Sequence, residues 1–282
     1  MLTNLACNVQ RVKKLLLLPA AALVLSSCTV MDVVGPHANG EIMALAKQAS
    51  ADWVFGDPSR EQWHEMRKKQ SEELKNEARR LCGLDAQGET PASCDVGYGD
   101  TDLPATGNAS ALLERTVTAA DKVPRESVDL IVAQAIDALA LSPVDLEPVT
   151  GAVSDAADAE AAHDMLAREN AMYYGLGVAL AYADGDLRER IGALRVASHE
   201  RTGALSRVLG PVEGAADEAL VPAAGYEFAD NYAEPSNAEE AARLVKTMQS
   251  DLVTQWRYTA AHAESAPWRE DAIRLAAHTQ RT

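Results

Sequence analysis

The chain has 282 residues and a formal net charge of −16, and so acidic a body repels phosphate backbones, which argues against nucleic acid as a partner. Hydrophobic residues make up 47% but aromatics only 5%, and the apolar content is largely alanine and leucine, which favours helix over sheet. The length suffices for one large helical domain or two small ones with real cores.

The amino terminus comes first in chain order. Arg11, Lys13 and Lys14 precede an apolar run over residues 15–25, which closes in Leu25-Ser26-Ser27-Cys28. A basic patch, a short apolar stretch and small residues at its end make a secretory signal. The run is too short to span ~30 Å of hydrocarbon comfortably as a helix. Its Leu-Ser-Ser-Cys ending resembles the lipobox of bacterial lipoproteins. By that resemblance Cys28 is lipidated on its sulfur and becomes the first residue of the mature chain; the competing reading is an ordinary cleaved signal with a chance cysteine. Residues 1–27 are then the signal and 28–40 the anchored tether. Nothing after Cys28 is apolar enough to cross a membrane, so the rest is expected outside, held to the outer face of the cytoplasmic membrane by lipid.

Removing residues 1–27 takes away three positive charges and no negative ones, so the net charge moves from −16 to −19. Anionic headgroups would also be repelled, so lipid rather than a basic surface must provide attachment. Of the four cysteines, Cys7 leaves with the signal and Cys28 carries lipid, leaving Cys82 and Cys94. In an exported protein these read as a disulfide, with a free reactive pair as the alternative. No Cys-x-x-Cys suggests redox catalysis.

A helix is predicted over 41–53. Asp57-Pro58 has the form of an N-cap followed by a first-turn proline, and predicts a second helix reaching about Leu81. Trp63, Met66, Gln70, Leu74, Ala78 and Leu81 recur on it at helical spacing, while Arg67 and its charged neighbours read as solvated faces. Residues 83–108 are an aperiodic loop with the proposed disulfide at its base. Asp95-Val-Gly-Tyr-Gly-Asp100-Thr-Asp102 within it lacks the ligand order and closing glutamate of a calcium-binding EF-hand. Helical signals return over 109–123 and 125–141, and from residue 151 the pattern is that of long helices. These run to about Asp184, over 186–209, from Ser236-Asn237 to about Ala263, and from Pro267 to near His278. Four such helices suggest an antiparallel bundle over 151–282, preceded by a smaller helical region over 41–150.

This carboxy-terminal half resembles the ferritin-like four-helix domain of bacterial lipoproteins, a family of unknown function. The resemblance covers roughly 155–282. It is carried by Leu166-Ala-Arg-Glu169-Asn170-Ala-Met-Tyr173-Tyr174-Gly175-Leu-Gly177, by Ser198-His199-Glu200-Arg201, by Tyr226 with Glu234-Pro235-Ser236, and by Trp256. It implies an all-α, ferritin-like fold and a cell-envelope location, but no activity. Family members often carry Glu-His where this chain has Glu169-Asn170, and that departure removes a potential ligand.

A ferritin-like di-iron centre needs a glutamate from each of two helices and Glu-x-x-His from each of the other two. Only Glu160-x-x-His163 offers that spacing clearly here; His199, His262 and His278 have no glutamate three residues earlier. Glu160 and Glu169 lie about 180° apart at ~100° per residue, so they cannot face one site. The apolar stripe Leu166, Tyr173, Leu176 and Leu180 includes Glu169, whereas Glu160 and His163 fall at the solvated start. Ile191, Leu194, Ser198 and Leu205 mark the core face of the next helix. Glu169 is therefore expected to point inward and to meet Gln255 or His262 in a polar cluster of structural use. A vestigial metal site would draw on Glu169, His199 and His262. Tyr173 and Tyr174 read as core. No Gly-x-Ser-x-Gly, Walker loop, His-Glu-x-x-His or dinucleotide fingerprint is present.

These readings imply a lipid-anchored envelope protein that binds or scaffolds, without catalysis, a cofactor or a known envelope partner. The rivals are a ferritin-like metal-handling protein or oxidoreductase, and a ligand-binding lipoprotein with a pocket between its two helical regions.

Overall fold

The computed structural model describes residues 35–97, 103–210, 225–229 and 232–282. Among them all regular structure is α-helical, in eight helices. The expected signal, Cys28 and most of the tether lie outside the described residues, as do Asp100 and Asp102 and much of the 210–235 connection.

Side-chain caps set most helix starts. α1 (Gly40–Val54) begins where Asn39 accepts hydrogen bonds from the amides of Glu41 and Ile42. α2 (Glu61–Cys82) starts later than Asp57-Pro58 predicts. The Asp57 carboxylate accepts from the Ser59 amide at 2.9 Å and its carbonyl from the Arg60 amide at 3.1 Å, so its capping oxygen is spent on a turn. α2 stops at Gly83, whose φ of 74° suits a residue without Cβ. The disulfide between Cys82 and Cys94 is formed, with Cα atoms 6.2 Å apart, and joins the end of α2 to the loop. The same loop holds the incoming chain, since Ser93 Oγ donates to the Pro36 carbonyl at 3.0 Å.

α3 (Ala109–Ala120) is capped by Asn108 and α4 (Arg125–Leu139) follows Pro124. Asp155 caps α5 (Ala156–Leu180), and α6 (Gly185–Leu209) ends at Gly210. α7 (Ala238–Ala261) opens with a reciprocal arrangement. Asn237 Oδ1 accepts from the Glu240 amide at 3.0 Å, and the Glu240 carboxylate accepts from Ser236 N–H at 2.8 Å. The Ser236 amide, and its hydroxyl also at 2.8 Å, hold the Glu240 carboxyl below its ordinary range. α8 (Ala266–Arg281) starts with Ser265 as cap and proline in its first turn. Buried Asp158 on α5 steadies that corner by accepting from the amides of Glu264 and Ser265, at 2.8 and 2.9 Å.

α1 packs on α2, α3 on α4, α5 on α6 and α7, and α7 on α8, while α6 also touches α8. α3 and α4 in turn lie against α8, and α4 against α7. One continuous apolar core results, running from Ile42 through Ile136, Leu176 and Leu205 to Ile273. Polar ties cross the same boundary: Arg257 on α7 bonds Asp137 on α4, and Arg269 on α8 bonds Asp121 just past α3. Among the described residues no helix is long and apolar enough to cross a membrane.

Arg67 departs from the solvated face expected of it. It is fully buried on the stripe of Trp63, Gln70, Leu74 and Ala78. The reason is Asp52 on α1, equally buried, which accepts from Arg67 Nε at 3.0 Å. The other Asp52 oxygen accepts from Gln48 Nε2, Thr106 N and Thr106 Oγ1 at 3.0, 2.8 and 3.1 Å. A buried guanidinium is tolerable only with such a partner, and burial still pushes the Arg67 pKa down.

Candidate functional site

Glu169 lies on the inner stripe of α5 with Ala162, Met165, Leu166, Met172 and Leu176, and is 0% exposed. Its neighbours on facing helices are all donors. Arg201 on α6 forms a two-pronged ion pair, Nε to Oε1 at 2.6 Å and Nη2 to Oε2 at 3.0 Å. Ser198, one turn earlier on α6, donates its hydroxyl to Oε2 at 2.8 Å. Trp256 on α7 donates Nε1–H to Oε1 at 2.8 Å. A carboxylate has about four lone-pair directions, and each is taken. The guanidinium also reaches α8, where Arg201 Nη1 meets His278 Nδ1 at 3.3 Å.

The tautomer of His278 follows from its partners. A guanidinium only donates, so Nδ1 accepts and Nε2 carries the proton toward Glu200 Oε2, 3.2 Å away. Burial first, and then the Arg201 charge, depress the His278 pKa, which agrees with a neutral ring. Three helices thus meet at one carboxylate, and a fourth, α8, reaches the guanidinium that holds it.

Glu169 points inward as expected, but its expected companions do not join it. Among the described residues no hydrogen bond links it to Gln255 or His262. Trp256, the neighbour of Gln255, occupies the inward position on α7. His262 is the exposed end of α7, its ring stacked on Tyr258 at 4.0 Å between centroids and 3.9 Å from Asp129. His199 is exposed on α6, and Glu160 is exposed at the start of α5 with His163 half-buried nearby. Among the described residues no three His, Cys, Asp or Glu side chains group as a metal would require. A di-iron centre does not fit this donor set, because the inward carboxylate is saturated by a cation, an indole and a hydroxyl.

The sequence offered a signal for the missed partner. Ile191, Leu194, Ser198 and Leu205 mark the core face of α6, and Arg201 fills the remaining position on that stripe, three residues after Ser198. Its charge hides its burial.

Residues 161–282 match the model of the family described as Domain of unknown function (DUF4439). The matched segment begins inside α5 and takes in Glu169, Ser198, Arg201, Trp256 and His278. No curated protein and no solved structure matches the chain.

Tyr173 and Tyr174 are not core, at 41% and 40% exposed. The inner stripe runs through Met172 instead, one position earlier, and Arg195 on α6 lies over the Tyr173 ring, 4.3 Å from its centroid. Tyr174 packs at 50° against Tyr226, with centroids 5.4 Å apart. The two rings form a corner of a cleft of about 230 Å³ along the seam of α5 and α7. Met172, Met248 and Leu252 line its buried side, and Phe228 and Tyr232 of the segment before α7 contribute aromatic walls. Gly175 keeps the seam tight, since a Cβ there would stand 2.5 Å from Met248 Sδ. This cleft lies within 151–282; other clefts do lie between the two helical regions, one lined by Leu146, Glu200, Arg207 and His278 and one by Asp121, Val128, His262 and Arg269.

Proposed function

We propose that this chain is an exported, lipid-anchored cell-envelope protein whose α5–α8 form a ferritin-like antiparallel bundle adapted to binding rather than to metal chemistry. The observation that carries the reading is the saturated Glu169 carboxylate. Where a ferritin-like centre would have an inward glutamate free to hold a cation, this carboxylate is held by Arg201, Ser198 and Trp256. The packing of α5 on α6 and α7, with α6 and α7 both touching α8, supports the bundle assignment. The chain runs antiparallel along the α5–α7 seam, because Glu169 meets Trp256 whereas Gly175 meets Met248. Cys28 supplies attachment through lipid, and an acidic body of net charge −16 before processing keeps the rest off anionic headgroups and nucleic acid.

Two measurements test this. Cys28→Ala should leave an unprocessed precursor or release the protein from membranes; normal processing with membrane retention would refute the anchor. Elemental analysis of protein purified without added metal should give the same content for the native chain and Glu169→Ala. A stoichiometric redox metal lost in that variant would refute the binding role.

A further inference from the structure

The cleft on the α5–α7 seam has a chemistry of its own. Four aromatic residues line it, Tyr174, Tyr226, Phe228 and Tyr232, and an aromatic ring carries an electron-rich face. Two carboxylates, Glu227 and Asp251, stand at its rim, both exposed. Tyr232 donates its hydroxyl to Asp251 Oδ2 at 2.7 Å, which fixes that ring beside the acid. The inner surface, by contrast, is apolar, with two buried thioethers from Met172 and Met248.

We infer that this cleft binds a small organic cation, an ammonium group bearing an apolar or aromatic body. Aromatic faces and nearby carboxylates attract a weakly hydrated cation together, the combination by which aromatic cages take quaternary ammonium groups. The ammonium sits by the Tyr174–Tyr226 corner, and the body lies on Met172, Met248 and Leu252. Arg168 lines the same cleft but stands six residues before Tyr174, about 9 Å along α5, at the end away from that corner. The carboxylates outnumber it, and the whole chain, at −16, draws cations toward the mouth. Size agrees as well. A cavity of about 150 Å³ takes benzene, so about 230 Å³ leaves room for one ring and a substituted ammonium.

This assignment deepens the binding role proposed above and rests on it, though not on the lipid anchor. The test is calorimetric titration of the full chain in detergent with benzyltrimethylammonium, benzyl alcohol and phenylacetate. Benzyltrimethylammonium should saturate one site at least about tenfold more tightly than either other probe. Tyr226→Leu and Asp251→Asn should each weaken it about tenfold, with far-UV circular dichroism confirming the fold. Tyr174→Leu, at a half-exposed helix position, replaces Tyr226→Leu if that variant does not fold. Benzyl alcohol or phenylacetate binding as tightly as the cation would overturn the ligand class while leaving the cleft a binding site. Saturation by none of the three would overturn both the ligand class and the cleft's binding role.

Discussion

Replacing Arg201 with methionine removes the cation from the Glu169 knot while nearly keeping its volume. The carboxylate then retains Ser198 and Trp256 as donors but loses both prongs of the guanidinium, at 2.6 and 3.0 Å. Glu169 is 0% exposed, so water cannot take the vacated positions without opening the core. Breaking a buried pair by removing one partner costs about 3–5 kcal/mol. For a domain of this size that lowers the thermal midpoint by roughly 10 °C. The stranded carboxyl should also gain a raised pKa, so the folded variant holds a proton that the unfolded chain releases near its ordinary range. The contribution of this one group to stability then falls as pH rises through and beyond that range. Adding Glu169→Gln removes the stranded charge, and the double variant should lose several kcal/mol less than the two single losses combined. Guanidinium chloride denaturation followed by far-UV circular dichroism, at pH 5 and pH 8, measures all four proteins. Additive losses, or an Arg201→Met cost under about 1 kcal/mol, would refute the claim that this pair is buried and mutually dependent.

Asp271 on α8 is 9% exposed, and burial with repulsion from Glu270 raises its pKa from 3.8 to about 7. The folded chain therefore binds the extra proton between those values, and stability from this group falls as pH rises through the window. Asp271→Asn should accordingly stabilise by about 2 kcal/mol at pH 8 and change little at pH 4, read by denaturant midpoints at each pH. Replacing Cys82 and Cys94 with alanine should cost about 3 kcal/mol, because the bridge closes a short loop; in the native protein both thiols should resist alkylation until reduced. Asp158→Ala strands the amides of Glu264 and Ser265 at the start of α8, and should cost about 2 kcal/mol in chemical denaturation.

The helical class was legible because its signals are local. Asn39, Asn108, Asn237 and Ser265 cap within two residues of where composition and spacing place helix starts, whereas Asp155 opens α5 at Ala156, five residues after the expected 151. The Cys82–Cys94 bridge was legible by elimination among few cysteines. Asp57 misled, because one side-chain oxygen can cap a helix or close a turn, and the choice depends on which amide the chain brings to it. The inward face of Glu169 followed from periodicity, but its partners did not. A charged residue on a core stripe announces burial only if its counter-ion is known, and the counter-ions of Arg67 and Arg201 come from other helices. Tyr173 and Tyr174 failed for a related reason. A helical stripe is broad enough to include either residue 172 or residue 173, and the ring stack with Arg195 and Tyr226 decides it from outside the helix.

The core that α5–α8 share includes many alanines, among them Ala162, Ala179, Ala197, Ala204, Ala241, Ala260, Ala272 and Ala276. Small, similar side chains discriminate poorly between one axial alignment of two helices and the next, one turn or ~5.4 Å away. Glu169 removes that ambiguity. A slide of one turn by α6 would carry Arg201 and Ser198 out of reach and leave the charge with a single donor, Trp256, in a dry interior. A slide of α7 would strip away Trp256 and leave a lone pair of Oε1 empty. The carboxylate thus works as an alignment key, fixing how far each helix is pushed in before the surrounding alanines close.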